Sequence, residues 1–143
     1  MATSRTAAAH WEGSLMEGAG TVELTSTHLA KFDVTWAART EAPADKTSPE
    51  ELIAAAHSSC FSMALSHALA QAGTPPTSLD TTAEVTFQPG QGITSSALAT
   101  RGVVPGMTAE QFAEAAEGAK ANCPVSKALA GTTISLTAEL VTE

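Results

Sequence analysis

The chain has no tyrosine and few other aromatics: Phe and Trp make up 4% of its 143 residues. Its core must therefore be assembled mostly from Ala, Leu, Val and Ile. Charge is also scarce, at 15% against 43% apolar residues, which excludes extended disorder. Lys and Arg number only seven, form no run, and leave a net charge of −8. Such a surface repels phosphate, so no nucleic-acid partner is expected. No long apolar run is free of polar interruption. The longest candidate, Leu52 to Ala70, carries His57, Ser58, Ser59, Ser62, Ser66 and His67, so no membrane span is expected. Met1 to Trp11 has Arg5 but lacks the apolar stretch of a signal peptide, which points to the cytoplasm. There are two cysteines and no CxxC spacing. In a reducing compartment both should be free thiols at rest, and a disulfide between them would be transient. Gly-rich phosphate loops, GxSxG and HExxH are absent as well.

What is present reads as a single α+β domain over residues 1–143. Ala9–Glu12, Thr21–Thr25 and Phe32–Trp36 are short stretches, the latter two alternating polar and apolar, as antiparallel strands with one covered face do. Glu41–Thr47 reads as a loop. Ser48, Pro49 and Glu51 then form the strongest helix start in the chain: an N-cap, a first-turn proline and a capping-box glutamate. That helix should run to about Ala72 and stop at Gly73. Its middle has no charged face, so it should be covered all round, by sheet on one side and by a second subunit on the other. Thr81–Phe87 and Ile93–Val104 read as partner strands. A helix capped by Thr108 and Gln111 follows, then a short helix opened by Pro124, and a final strand over Thr132–Val141.

Two residues could carry chemistry above all. Cys60 lies in mid-helix among Ala and Ser. A cysteine there is ordinarily packing, and burial raises a thiol's pKa. To be nucleophilic, Cys60 needs a cation or a base nearby. Arg39, at the expected end of the third strand, is the best placed of the seven cations; His57, one helical turn before Cys60, is an alternative activator or else a satisfied core histidine. Glu50, next to the capping Glu51, is free to hold an arginine fork. It lies about 15 Å along the helix from Cys60, so joint action would need a second chain. Cys123 precedes Pro124 at a helix start, where a thiolate is stabilised. The pair is asymmetric, with one thiol deep and one at a cap, as suits one sulfur that attacks and another that resolves. Zinc bound by His57, Cys60, His67 and Cys123 is excluded by helix geometry, since the two histidines are about 15 Å apart along the axis.

Two motifs and two shorter matches carry a resemblance. Thr47–Ser66 is similar to the PEEL-x-AAHxxCFSMAL stretch of the OsmC/Ohr family, and Cys123–Leu129 to its CPVS motif. His10–Gly13 and Val104–Gly106 also resemble family text. The resemblance implies an intertwined α+β homodimer, with antiparallel sheets around central helices and two active sites at the interface. It implies a thiol peroxidase of oxidative or osmotic stress defence that reduces organic hydroperoxides, and hydrogen peroxide less well. It assigns Cys60 as the attacking cysteine, Cys123 as the resolving one through a Cys60–Cys123 disulfide, and Arg39 and Glu50 as the activating pair of the OsmC branch. The Ohr branch draws its arginine from a loop near residue 18, and Met16–Gly20 has none. An external dithiol would regenerate the thiols; no metal, flavin or haem cofactor is implied. Two other functions compete with this one: a non-catalytic pocket for a hydrophobic ligand at the dimer interface, and an interaction subunit whose bare helix is only a contact surface.

Overall fold

A computed structural model describes residues 1–41 and 45–142. Residues 42–44, inside the expected Glu41–Thr47 loop, and Glu143 lie outside the described residues. The chain is α+β, with two three-stranded sheets, and clusters into two compact units, Met1–Leu52 and Ile53–Glu143.

The first unit holds strands β1 (Ala8–Glu12), β2 (Ala19–Glu23) and β3 (Lys31–Val34), paired antiparallel in that order. Every residue of β1 is exposed. The third strand is shorter than its alternation suggests. The Thr35 hydroxyl accepts the Ala38 N–H at 3.1 Å and caps a short helix, α1 (Trp36–Thr40). Arg39 therefore stands on a helical turn and not at a strand end. The unit ends in the first turn of α2 (Pro49–Gln71). There the Ser48 hydroxyl accepts the Glu51 N–H at 3.1 Å, and Pro49 occupies the first helical position, as the sequence indicates. The Glu51 carboxylate accepts from the Thr47 hydroxyl, one residue earlier than a capping box would place it.

The second unit contains the rest of α2, β4 (Ser78–Gln88), β5 (Gly92–Val103), α3 (Ala109–Asn122), α4 (Pro124–Ala128) and β6 (Thr133–Leu140). Helix α2 stops where Gly73 takes φ of +89°, a conformation open to glycine at little cost. The Gly73 and Thr74 amides close the last turn on Ala70 and Leu69. Phe61, Leu65 and Leu69 recur every four residues and are fully buried. Around them pack Leu98 and Val104 from the sheet side and Phe112, Ala116, Ala119 and Cys123 from the α3 side. Helix α2 is long and apolar enough to cross a membrane by length and composition, but this face is committed to the protein's own core. Its other face, with Ala55, Ala56, Ser59, Met63 and His67, is exposed, so a single chain covers the helix on one side only. The serines that interrupt it are satisfied locally. Ser58, Ser59 and Ser62 donate to carbonyls one turn back, and Ser62 also meets Thr81 at 2.8 Å.

The capping box at Thr108 and Gln111 forms as the sequence indicates. One pairing does not follow the antiparallel expectation: β5 pairs with β4 antiparallel but with β6 parallel. The reason is connectivity. Helices α3 and α4 intervene between β5 and β6, and such a crossover brings the chain back in its original direction. Helix α3 closes onto the sheet at Gly102, where an added Cβ would come within 2.6 Å of the Phe112 ring and 3.0 Å of Leu79.

Candidate active site

Two pairs of side chains, each within one unit, answer to the four residues singled out in the sequence. In the second unit, α2 presents Cys60 half-buried, and the junction of α3 and α4 holds Cys123 fully buried. Both are free thiols. Cys123 ends one helix and begins the next. Its N–H closes α3 on the Ala119 carbonyl at 2.8 Å, and its carbonyl accepts the Lys127 N–H at 3.0 Å. Pro124 explains the break, because it cannot continue α3 but suits the first position of α4.

Cys60 packs against the buried cluster that holds Cys123, and each thiol biases the other's proton. Burial pushes the Cys60 thiol up; the Val125 N–H opposes this, and the neighbouring Cys123 adds to it. Burial also acts to raise Cys123. It is outweighed by the Ser126 N–H, the Cys60 thiol, the Ser126 hydroxyl and the Val125 N–H, so the net shift is downward. Cys123 makes no side-chain cap hydrogen bond to the first turn of α4. Burial and the Cys123 neighbour both work against a thiolate at Cys60, so an attacking role there calls for a stabilising cation from outside the pair.

In the first unit, Arg39 and Glu50 form a forked ion pair. Arg39 Nε donates to both Glu50 carboxylate oxygens at 3.1 Å, and Nη2 donates to Oε2 at 3.0 Å. The Glu50 carboxylate is buried, and the guanidinium also lies over the Trp36 ring, 6.0 Å from its centroid. A carboxylate with an arginine fork on both oxygens fixes the guanidinium in one orientation.

His57 resolves as a satisfied core residue. Its ring is fully buried, with Nδ1 2.7 Å from the Ser96 hydroxyl of β5 and Nε2 2.8 Å from the Ser126 hydroxyl of α4. Burial lowers its pKa, so the neutral ring is favoured. Both nitrogens are engaged, which leaves none to activate Cys60 directly. Ser96 and Ser126 were not legible as its partners. Ser126 lies in the CPVS motif, but nothing local links either serine to His57. Among the described residues no group of three or more His, Cys, Asp or Glu is arranged to hold a metal.

A half-buried thiol packed against the cluster that holds a buried one, on an α+β scaffold, is the arrangement a dithiol redox protein would use. The family model described as OsmC-like protein matches residues 42–139. Peroxiredoxin OsmC of Escherichia coli (strain K12) is 47% identical over 124 residues, spanning 85% of this chain and 86% of that protein. Peroxiredoxin OsmC of Shigella flexneri matches to the same extent. A solved organic hydroperoxide resistance protein from Elizabethkingia anophelis shares 26% identity, covers all of both chains and superposes with a TM-score of 0.70. The chain belongs to the OsmC family.

Proposed function

We propose that this protein is a two-cysteine thiol peroxidase that reduces organic hydroperoxides, and hydrogen peroxide less readily. The observation that carries the reading is the packing of Cys60 against the buried cluster that holds Cys123, far from it in sequence. The identity to peroxiredoxins named OsmC supports the activity. Exposure supports the division of labour: Cys60 is open to an incoming peroxide and Cys123 is sealed off.

In this reading the Arg39 guanidinium, held by Glu50, stabilises the Cys60 thiolate electrostatically. The thiolate attacks the terminal peroxide oxygen. The O–O bond breaks, the alkoxide leaves and takes a proton as the alcohol, and Cys60 is oxidised to a sulfenic acid. Cys123 then attacks the Cys60 sulfur. The S–S bond forms, the S–O bond breaks, and water departs carrying the Cys123 proton. An external dithiol supplies two electrons and two protons to restore both thiols. Glu50 and Cys60 share α2 and are ten residues apart, about 15 Å of helix rise, so the fork serving Cys60 is taken to come from a second copy. The exposed apolar side of α2 supports such a homodimer. We further propose that the two units act as one OsmC-like domain, and that the protein works in the cytoplasm, where its thiols stay reduced.

The test is to treat reduced protein with cumene hydroperoxide and map its thiols by mass spectrometry without reduction. An intrachain Cys60–Cys123 disulfide, formed in proportion to the peroxide consumed, is expected. Untouched thiols with unchanged peroxide would overturn the peroxidase and favour a binding pocket for a hydrophobic ligand.

A further inference from the structure

Side-chain hydrogen bonds that the mechanism does not use tie α2 to its neighbours at two places. At one, the His57 ring meets the hydroxyls of Ser96 on β5 and Ser126 on α4, at 2.7 and 2.8 Å. At the other, the Ser62 hydroxyl lies 2.8 Å from that of Thr81 on β4, which lies 2.9 Å from that of Thr100 on β5. Thr81 and Thr100 are direct cross-strand partners, and Thr100, like Ser96, is nearly sealed from solvent. Ser62 is itself steadied by the Ser58 carbonyl, 2.9 Å away and one turn back. A helix turns about 100° per residue, so Ser62 stands about 140° round α2 from His57. The buried stripe of Phe61, Leu65 and Leu69 falls within that arc, with a tie at each edge. The stripe recurs every four residues and therefore drifts about 40° round the helix at each step. Apolar burial has no direction and sets the rotation of α2 only coarsely. A hydrogen bond is directional and sets it finely.

Cys60 lies between the two ties, three residues after His57 and two before Ser62, and packs against the buried cluster that holds Cys123. A side-chain atom stands about 5 Å from the helix axis, so a rotation of about 20° carries the sulfur roughly 2 Å sideways. The Cα atoms of a disulfide tolerate separations of only about 4.4–6.8 Å, and a displacement of 2 Å uses most of that range. We propose that Ser62, Thr81 and Thr100 are positioning residues for the thiol pair: together with His57 they fix the rotation of α2 and so hold Cys60 where it can bond to Cys123. They act through the helix and not on the sulfur. Threonine suits the strand side of the tie, because its β-branch restricts the side chain to few rotamers. The inference rests on the peroxidase reading only for the step it serves, the closure of the Cys60–Cys123 disulfide.

The experiment measures the disulfide at equilibrium, in mixtures of oxidised and reduced dithiothreitol. The two thiols give up two electrons and two protons, which oxidised dithiothreitol takes up as its own disulfide opens. Exchange begins at the half-buried Cys60, so no reagent has to reach Cys123. Ser62→Ala leaves Thr81 and Thr100 paired with each other and keeps a good helix former in α2. Losing its tie should shift the equilibrium toward the dithiol by roughly two- to tenfold, and Thr81→Val should do the same. Thr81→Ser keeps the hydroxyl and should hold the parent value. Leu69→Val, which weakens the core of α2 without touching a hydroxyl, should leave the equilibrium unchanged. No shift in Ser62→Ala and Thr81→Val, an equal shift in Leu69→Val, or a parent protein that forms no Cys60–Cys123 disulfide would overturn the assignment. With cumene hydroperoxide as oxidant, slower closure should leave more Cys60 sulfenic acid for dimedone to trap in Ser62→Ala. If the unsubstituted protein consumes no hydroperoxide, the peroxidase reading falls, while the dithiothreitol equilibrium still decides whether these hydroxyls align the thiols.

Discussion

Glu50 is nearly fully buried, yet it carries a carboxylate. Its partner explains that: three hydrogen bonds from Arg39 hold both oxygens. Glu50→Gln removes the charge and one acceptor while keeping the size. A charge-assisted hydrogen bond is worth about 1.5–3 kcal/mol, so hydroperoxide reduction should fall between roughly ten- and a hundredfold, with Cys60 alkylation moved to higher pH. Stopped-flow peroxide consumption and the alkylation profile check both. His57 gives a stability prediction of definite sign. Burial depresses its folded pKa below the ordinary 6.5. As pH falls through that ordinary value the unfolded chain takes a proton that the folded chain refuses, so stability drops. Urea melts at about pH 7.5 and pH 5.5 should show a smaller acid loss for His57→Gln than for the unsubstituted protein. The four candidate residues were legible because two of them lie in one helix motif, one in a second motif and one just upstream. The Ser96 contact was not, since it joins residues 39 positions apart and depends on how β5 packs against α2.

At the level of elements, caps and stops were the most readable features. Ser48, Gly73, Thr108 and Pro124 mark helix boundaries through local hydrogen bonds and fixed dihedrals, and each does so in the structure. Strand partners were less so. Alternation gives a strand its faces but not its neighbour or direction, which is why the parallel β5–β6 pair needed the fold to be seen. The short α1 was missed because Trp36 completes a period-two pattern, while the Thr35 cap redirects the backbone. The contact between α3 and β5 yields a test. Gly102→Ala would drive a methyl group into the Phe112 ring and Leu79. Overpacking of this kind costs about 1–3 kcal/mol, so the thermal midpoint should fall by several degrees. Gly102→Ala combined with Phe112→Leu should recover part of the loss, which differential scanning calorimetry would record.

On the scale of the whole molecule, the sequence asked for a cover on every side of α2, and one chain supplies a single side. Met63 stands on the bare side with 71% of its surface exposed. If a second copy covers it, Met63→Glu should weaken association by more than roughly a hundredfold, from lost apolar burial and a desolvated charge. Light scattering across a dilution series would show monomers at concentrations where the parent protein stays paired. Peroxide reduction should decline with them if each site borrows its arginine fork. A monomeric variant with full activity would place the fork and the thiol in one chain.

The parallel β5–β6 pair also sets a timetable. Strands β4 and β5 are joined by a tight turn at Gly90 and Gly92 and can zip together early. Strand β6 can dock only after the chain from Val103 to Thr133 has folded back across the sheet, and long-range pairings of this kind form late. Cys123 lies inside that returning segment. If α2 forms before that segment docks, Cys60 is a thiol on a helix whose resolving partner has no fixed position. An oxidant met at that stage would leave a Cys60 sulfenic acid with no thiol held beside it, so protein refolded in peroxide should carry more sulfinic acid at Cys60 than native protein given the same dose, which mass spectrometry would record.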